Sequence, residues 1–160
     1  MKYIQGNLLD INIDQKFDIV ACLSSFEHAG IEQPHFKNKV IDLDEHKKVA
    51  DELVSLTKHQ GLVLLTLPAG KNELYVVDKN GKSSIYKGGK NFLWGYRTFT
   101  LEKIVSLFPT LKLLDHRSYL RKPDSDYFLT DSWERIPSYL PITNVYEEQN
   151  GLLCVAFQNV

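Results

Sequence analysis

Two apolar runs with a helical pattern between them constrain the fold of this chain more than any other feature. Residues 17–23 and 62–67 are apolar at almost every position, which is typical of strands buried on both faces of a parallel sheet. Asp42 and Asp44 offer N-caps for a helix that runs to about His59 and is apolar on one face. Because strand, helix and strand in this order form a βαβ unit, we expect adjacent parallel strands with a right-handed crossover.

The remaining chain predicts more sheet and one inserted flap. Residues 152–157 form a further apolar run, which we expect to lie antiparallel between the second parallel strand and a strand at 111–120. Residues 69–97 are predicted to be a flap with a β-hairpin, because Asn80 and Gly81 lie between two β-prone runs at 74–77 and 84–86. A flap of this length often serves as a lid or a substrate loop.

Length and composition indicate one domain over residues 1–160 and exclude several functions. The chain has a net charge of -1, which offers no field for nucleic acid, and it lacks the run of about 18 apolar residues that a membrane span needs. Cys22 and Cys154 lie in apolar runs without metal-ligand spacing, so we expect buried thiols and no metal site. These observations predict a cytoplasmic protein.

A short helix is predicted around Trp133, at residues 131–139.

Three short motifs follow one another along the first half of the chain. They are G-N-L-L-D at 6–10, F-D-I-V at 17–20 with E-H at 27–28, and Q-G-L-V-L-L-T-L-P at 60–68. In this order and spacing, the chain resembles strands three, four and five of the class I S-adenosylmethionine (AdoMet) dependent methyltransferases. The resemblance implies an α/β, partial Rossmann-like sheet with flanking helices and an antiparallel last strand. It also implies methyl transfer from AdoMet to an acceptor, such as a sugar or glycan.

The chain departs from this family at its beginning. Members carry, ahead of the third strand, a glycine-rich turn and an acidic residue that hold the cofactor. No such turn precedes residue 6, and Gly88 and Gly89 follow no buried strand. The resemblance therefore implies an N-terminally incomplete domain with half of an AdoMet site and weak or no activity. The alternative is a non-catalytic, methyltransferase-like binding or regulatory subunit.

The family resemblance assigns cofactor contacts to the ends of the first two predicted strands, where open α/β sheets bind ligands. Asn7 would accept from the adenine amino group and Leu8 would donate its backbone N–H, although a plain turn asparagine is the alternative. A strand-end carbonyl would hold the methionine ammonium, and an aromatic ring would cover the adenosine. The residues in these positions are Cys22, Leu23, Ser24 and Phe26, which could equally fill the core.

Glu27 and His28 are the candidate catalytic residues. Methyl transfer depends mainly on alignment, with a base that removes the acceptor's proton where needed, and histidine changes charge near neutral pH. The alternative for this pair is a structural or positioning role. In the flap, Tyr96 and Arg97 are candidates for substrate binding, because an aromatic and basic mixture suits a sugar or an anionic acceptor; packing of the flap on its own domain is the alternative.

The first predicted strand, residues 3–5, raises a problem of connection. Only about seven residues join Asp10 to Asp18, whereas a parallel crossover takes about a dozen or more. The linker fits a sheet from which two strands are missing, so residues 3–5 must leave the sheet, turn onto residues 17–23 or pair with another molecule. An unpaired apolar strand edge invites association. We therefore expect a homo-oligomer or a partner chain that supplies the missing strands.

Overall fold

A computed structural model describes residues 4–31, 42–88, 92–121, 133–136 and 151–160. These residues form one five-stranded mixed sheet, two α-helices and a smaller three-stranded sheet. In chain order the elements are β1 (Phe17–Leu23), α1 (Glu45–Ser55), β2 (Thr57–Ala69), β3 (Leu74–Val77), β4 (Ser83–Ile85), β5 (Trp94–Arg97), α2 (Leu101–Leu107), β6 (Leu111–Arg121), β7 (Trp133–Ile136) and β8 (Gly151–Asn159), with short 3₁₀ helices at Leu8–Asp10 and Phe26–His28.

The five-stranded sheet has the order β1-β2-β8-β6-β7. β1 and β2 are parallel, with Ile19 opposite Leu62, and α1 connects them. β8 runs antiparallel to both of its neighbours, with Val155 paired to Leu65 on β2 and to His116 on β6. The predictions of a βαβ unit and of an antiparallel last strand between β2 and β6 are confirmed.

The hydrophobic core lies between this sheet and the two helices. Alternate residues of β2 and β8 face the helices and are buried, and the same cluster includes apolar side chains of α1 and α2. α2 begins where the Thr100 side chain accepts a hydrogen bond of 3.2 Å from the Lys103 N–H, which caps the helix. The core members from these four elements include Val49, Leu53, Val63, Leu65, Leu67, Ile104, Leu107, Leu153, Val155 and Phe157.

The predicted end of α1 near His59 is wrong. The helix ends at Ser55, and the Thr57 hydroxyl donates to the Leu53 carbonyl at 2.7 Å where the chain enters β2. Gly61 is not a helix exit but allows close approach within the sheet, because an added Cβ would lie 3.0 Å from the Asp18 carbonyl oxygen on β1. The register of β1 against β2 shifts between Phe17 and Ile19. β2 therefore runs through an irregularity in the region where the helix was expected to end.

Two further predictions of local structure fail. Ile4 and Gln5 lie outside any strand, while Tyr3 falls outside the described residues, so the described part of the predicted first strand is not in the sheet. Of the predicted helix at 131–139, residues 133–136 instead form the strand β7, which pairs antiparallel with β6 between Ser118 and Arg121, and the other residues of this prediction lie outside the described ones. The open edge of β6 can satisfy the backbone N–H and C=O groups of residues 133–136 better than a short isolated helix can.

β3, β4 and β5 form the three-stranded sheet in the order β4-β3-β5. The expected hairpin is present between β3 and β4, and Gly81 has a positive φ of 79° in its turn. A bridge from Ala69 to Phe99 joins the end of β2 to the chain after β5, so the small sheet is held beside the end of β2. Among the described residues, no helix is long and apolar enough to cross a membrane.

Candidate functional site

The chain turns sharply where β1 ends, at Ser24. This residue has a positive φ of 46°, and its N–H lies 3.0 Å from both the carbonyl and the hydroxyl oxygen of Thr66 on β2. The Ser25 hydroxyl donates to the Leu23 carbonyl at 3.1 Å. Leu23, Ser24 and Ser25 are exposed, so the end of β1 presents polar backbone and hydroxyl groups to solvent.

The 3₁₀ helix that follows directs Phe26 into the core. Its ring is almost fully buried and lies 5.7 Å from Phe99 and 6.0 Å from Phe108, between ring centroids. This position agrees with the core-filling alternative for Phe26, and its contact with adenosine stays a prediction. Cys22 is half-buried and packs against the same cluster.

Glu27 is a buried carboxyl without full hydrogen bonding. The residue is 4% exposed, and its Oε2 has no hydrogen-bond partner among the described residues. Burial raises the pKa of Glu27, with partial opposition from its own backbone N–H and from the neighbouring His28. Burial also raises the pKa of the Cys22 thiol, and the Glu27 charge adds to this effect. Such a buried, partly unsatisfied carboxyl is a feature of functional sites.

His28 connects Glu27 to the small sheet. Its Nδ1 lies 2.7 Å from the Gly95 carbonyl oxygen on β5, and its Nε2 lies 3.9 Å from Oε1 of Glu27. A carbonyl oxygen can only accept, so Nδ1 carries the proton in the neutral ring and Nε2 keeps its lone pair. The Trp94 ring packs edge-on at 6.2 Å. The ring of His28 is thus held in one orientation, with a basic nitrogen beside a carboxyl.

Tyr96 and Arg97 belong to β5 of the small sheet, and both are buried. The Tyr96 hydroxyl lies 3.0 Å from the Ser83 hydroxyl, and its ring stacks on Tyr75 with 5.3 Å between centroids. The Arg97 guanidinium donates to the Ala29 carbonyl and, at 3.1 Å, to the Leu43 carbonyl. Burial lowers the pKa of Arg97, against the effect of nearby acidic residues. Both side chains stabilise the packing of the flap, and substrate binding by them stays a prediction.

Asn7 caps the first 3₁₀ helix. Its side-chain oxygen accepts from the Leu9 N–H at 3.2 Å, and the residue is exposed. Leu8 and Leu9 pack against the main core together with Cys22. The capping contact matches the plain turn alternative for Asn7, while adenine recognition by Asn7 and Leu8 stays a prediction.

Three parts of this site were absent from the sequence-based prediction. They are the Gly95 carbonyl, the Thr66 hydroxyl and His46, which is buried near Phe26 and has an Nδ1 without a hydrogen-bond partner among the described residues. Burial, with the positive charges of Arg97 and Lys103, lowers the pKa of His46 to about 4. His46 directly follows Glu45, the first residue of α1. This position in the helix was the signal in the sequence that could have identified His46.

The residues at the end of β1 fit one end of AdoMet. The Leu23 carbonyl accepts one hydrogen bond from Ser25 and has a second lone pair, which suits the methionine ammonium. The sequence has no glycine-rich turn after a buried strand to hold the ribose end. Within the part of the chain that the structure describes, no group of three or more His, Cys, Asp or Glu side chains could hold a metal ion.

The architecture is that of the class I AdoMet-dependent methyltransferase fold, as the resemblance in sequence implies. Solved structures of such enzymes match almost the whole chain, whereas no family model and no curated protein matches it.

Three of the similar structures define the extent of the match. A SAM-dependent methyltransferase from Methanosarcina mazei has a TM-score of 0.58 and 12% identity, over 97% of this chain and 65% of that one. The 1,6-didemethyltoxoflavin-N1-methyltransferase of Burkholderia thailandensis, solved with bound 1,6-didemethyltoxoflavin and S-adenosylhomocysteine, has a TM-score of 0.55 and 9% identity, over 98% of this chain and 50% of that one. A SAM-dependent methyltransferase of Thermotoga maritima has a TM-score of 0.51 and 14% identity, over 98% and 63%. The chain spans 50 to 65% of the lengths of these three proteins. At sequence identities this low, the similarity shows a shared fold alone.

Proposed function

We propose that this chain takes part in AdoMet-dependent methyl transfer to a small-molecule or glycan acceptor. In this proposal His28 removes the acceptor's proton and Glu27 orients and stabilises the imidazolium that forms. The observation that carries the proposal is the orientation of His28, whose Nδ1 is held at 2.7 Å by the Gly95 carbonyl while Nε2 lies near Glu27. A base fixed by one group and charge-stabilised by another is a common catalytic arrangement.

The end of β1 would hold the methionine end of the cofactor. The exposed backbone at Leu23 and Ser24 offers a carbonyl oxygen for the ammonium group, and Asn7 and Leu8 would contact the adenine. AdoMet, when bound, supplies a methyl group on a sulfonium, ready for in-line displacement. The S-adenosylhomocysteine bound by the Burkholderia thailandensis enzyme supports this choice of cofactor.

A non-catalytic binding or regulatory role is the second candidate. It is favoured by residues 1–160, which contain no glycine-rich turn after a buried strand. In either case we propose that this chain by itself forms a weak AdoMet site. We also propose a cytoplasmic location, in keeping with two free cysteines, Cys22 and Cys154, in the described part of the chain.

A methyl-transfer assay separates the two candidates. The protein is incubated with millimolar labelled AdoMet and with amine, phenol and sugar acceptors, and transferred methyl is counted. We expect His28→Asn to lower the rate at least about 100-fold, because the amide keeps a donor for Gly95 but provides no base. Ser84→Ala, at an exposed position of β4, is the matched control and should leave the rate unchanged.

The result also decides between catalysis and binding alone. Equal rates for the wild type and His28→Asn would refute the role of His28 as base. AdoMet binding without transfer to any acceptor class would favour the regulatory candidate.

A further inference from the structure

Thr66, near the end of β2, contacts the turn at the end of β1 through both its backbone and its side chain. The Ser24 nitrogen lies 3.0 Å from the Thr66 carbonyl oxygen and also 3.0 Å from the Thr66 hydroxyl oxygen. The two hydroxyl oxygens lie 3.4 Å apart. The carbonyl contact continues the parallel pairing, in which Leu23 lies opposite Thr66, and any residue at position 66 could make it. The hydroxyl contacts depend on the threonine side chain.

These contacts hold Ser24 in a backbone conformation that is unfavourable for most residues. Its φ of 46° lies in the left-handed region, where the Cβ of a residue other than glycine is crowded. Such a conformation persists only where surrounding contacts maintain it. Thr66 holds the Ser24 N–H, and two residues further on the Phe26 side chain is buried in the core. The turn is therefore fixed on both sides of Ser24.

The contact with Thr66 also sets the direction of the Leu23 carbonyl. A trans peptide is planar, so its N–H and C=O groups point in opposite directions. Because the Ser24 N–H points to Thr66 on β2, the carbonyl of the same peptide points away from β2. The Ser25 hydroxyl donates to this carbonyl at 3.1 Å and occupies one of its two lone pairs. The other lone pair can accept from a ligand, in a direction that Thr66 has set.

We propose that Thr66 is a positioning residue for AdoMet. Its hydroxyl holds the peptide between Leu23 and Ser24 in the one orientation in which the Leu23 carbonyl meets the ammonium group of the cofactor's methionine end. This inference rests on the proposed function, in which the end of β1 binds that group. An acceptor that is already oriented binds more tightly than one that must first be ordered, and a β-branched side chain such as threonine is itself restricted in χ1.

This role concerns the amino-acid end of the cofactor alone. Asn7 and Leu8, which are proposed to contact the adenine, belong to a different segment of the chain. Loss of the Thr66 hydroxyl should therefore weaken ligands that carry the ammonium group and leave other ligands unaffected. 5′-Methylthioadenosine, which has the adenosine and the sulfur of AdoMet but neither an amino nor a carboxyl group, is the ligand for this comparison.

Thr66→Val removes the hydroxyl and keeps the branched shape of the side chain. The variant is titrated with AdoMet and with 5′-methylthioadenosine, and both affinities are measured from amide chemical shifts. We expect an affinity for AdoMet that is about five- to tenfold weaker, the effect of one lost hydrogen bond, and an unchanged affinity for 5′-methylthioadenosine. Thr66→Ser should restore AdoMet binding. Thr57→Val is the matched control and should alter neither affinity, because the Thr57 hydroxyl bonds to the Leu53 carbonyl at the other end of β2.

Hydrogen exchange at the Ser24 N–H tests the contact without a ligand. We expect exchange at least about fivefold faster in Thr66→Val, which loses one of the two acceptors, and close to the wild-type rate in Thr66→Ser. Unchanged exchange in Thr66→Val, equal weakening of both ligands, or a failure of serine to restore AdoMet binding would overturn the positioning role alone. A wild type without shifts at Leu23 and Ser24 on addition of AdoMet would overturn the proposed cofactor site, and the positioning role with it.

Discussion

The Nδ1 atom of His28 lies 2.7 Å from the carbonyl oxygen of Gly95, although 67 positions separate the two residues in the sequence. This contact joins the end of β1 to β5 of the small sheet. It fixes the tautomer of His28 and leaves Nε2 facing Glu27. The small sheet is therefore part of the proposed catalytic arrangement, because it sets the orientation of the base.

Gly95→Ala is expected to lower the free energy of unfolding by about 1–3 kcal/mol, as overpacking of a tight site does. An added Cβ would lie 2.7 Å from Ile31 Cγ2 and 2.8 Å from the Tyr75 carbonyl oxygen. Chemical denaturation measures the loss. Gly6→Ala is the control, because its Cβ would meet only the mobile end of Ile11. Equal, small effects of both changes would show that β5 is not closely packed.

Glu27→Gln is expected to stabilise the protein at neutral pH while it impairs function. Burial raises the pKa of Glu27, so the folded state binds a proton at this carboxyl more tightly than the unfolded chain does. The stabilisation that comes from this proton is fully present below about pH 4.3, the pKa of glutamate in the unfolded chain. It is lost as the pH rises through the higher pKa of Glu27 in the folded protein. We expect the variant to gain roughly 1 kcal/mol at neutral pH, since it buries no charge.

Denaturation curves over a range of pH check this sign. The gain should disappear under acidic conditions, and Asp51→Asn, on the exposed side of α1, should show no such trend. A variant that is less stable than the wild type at neutral pH would mean that the Glu27 carboxylate is well compensated in the fold.

His46 is expected to make the protein less stable as the pH falls. Burial lowers its pKa to about 4, whereas the unfolded chain takes up the proton near pH 6.5. The free energy of unfolding should therefore fall between about pH 6.5 and pH 4, by up to about 3 kcal/mol for this group. His46→Gln should flatten the curve in this range, and His59→Gln, at an exposed position, should not. Parallel curves for wild type and His46→Gln would disprove the burial effect.

Arg97→Lys is expected to destabilise the fold by roughly 2 kcal/mol, because a lysine cannot serve two carbonyl groups in fork geometry. The guanidinium connects the loop carbonyls of Ala29 and Leu43 to β5. Thermal unfolding compares this variant with Arg117→Lys, whose side chain pairs with Asp115 at an exposed site. A similar melting temperature for the two variants would show that the two carbonyls find other donors.

The sequence was sufficient for the parts of the fold that depend on long apolar patterns. β1, β2 and β8 are nearly continuous apolar runs. The βαβ rule predicted that β1 and β2 are parallel neighbours, and the apolar run at the end of the chain predicted β8 as a further strand of the sheet. Local patterns failed where tertiary contacts decide the structure. Gly61 resembles a helix exit but allows close strand packing, and Trp133 forms a strand because β6 offers it an edge.

The segment of the chain that forms the candidate site could be predicted from the sequence, but the contacts of its side chains could not. Glu27 and His28 follow β1 directly, so motif spacing located them. The partner of His28 is a backbone carbonyl on β5, and a glycine carbonyl leaves no chemical signal in a sequence. The burial of Tyr96 and Arg97 likewise depends on how the flap packs, which an aromatic and basic composition alone does not determine.

Titration of the ¹⁵N-labelled protein with AdoMet, followed by amide chemical shifts, tests the central claim most directly. We expect shifts at Leu23, Ser24 and His28, with smaller ones at Asn7 and Leu8, and saturation only above about millimolar concentration, since each tenfold loss of affinity corresponds to about 1.4 kcal/mol of missing contacts. ATP, an adenine nucleotide without the methionine group, is the control ligand and should leave Leu23 and Ser24 unchanged. Micromolar saturation would contradict the incomplete site, and an absence of shifts at the end of β1 would contradict its assignment to AdoMet.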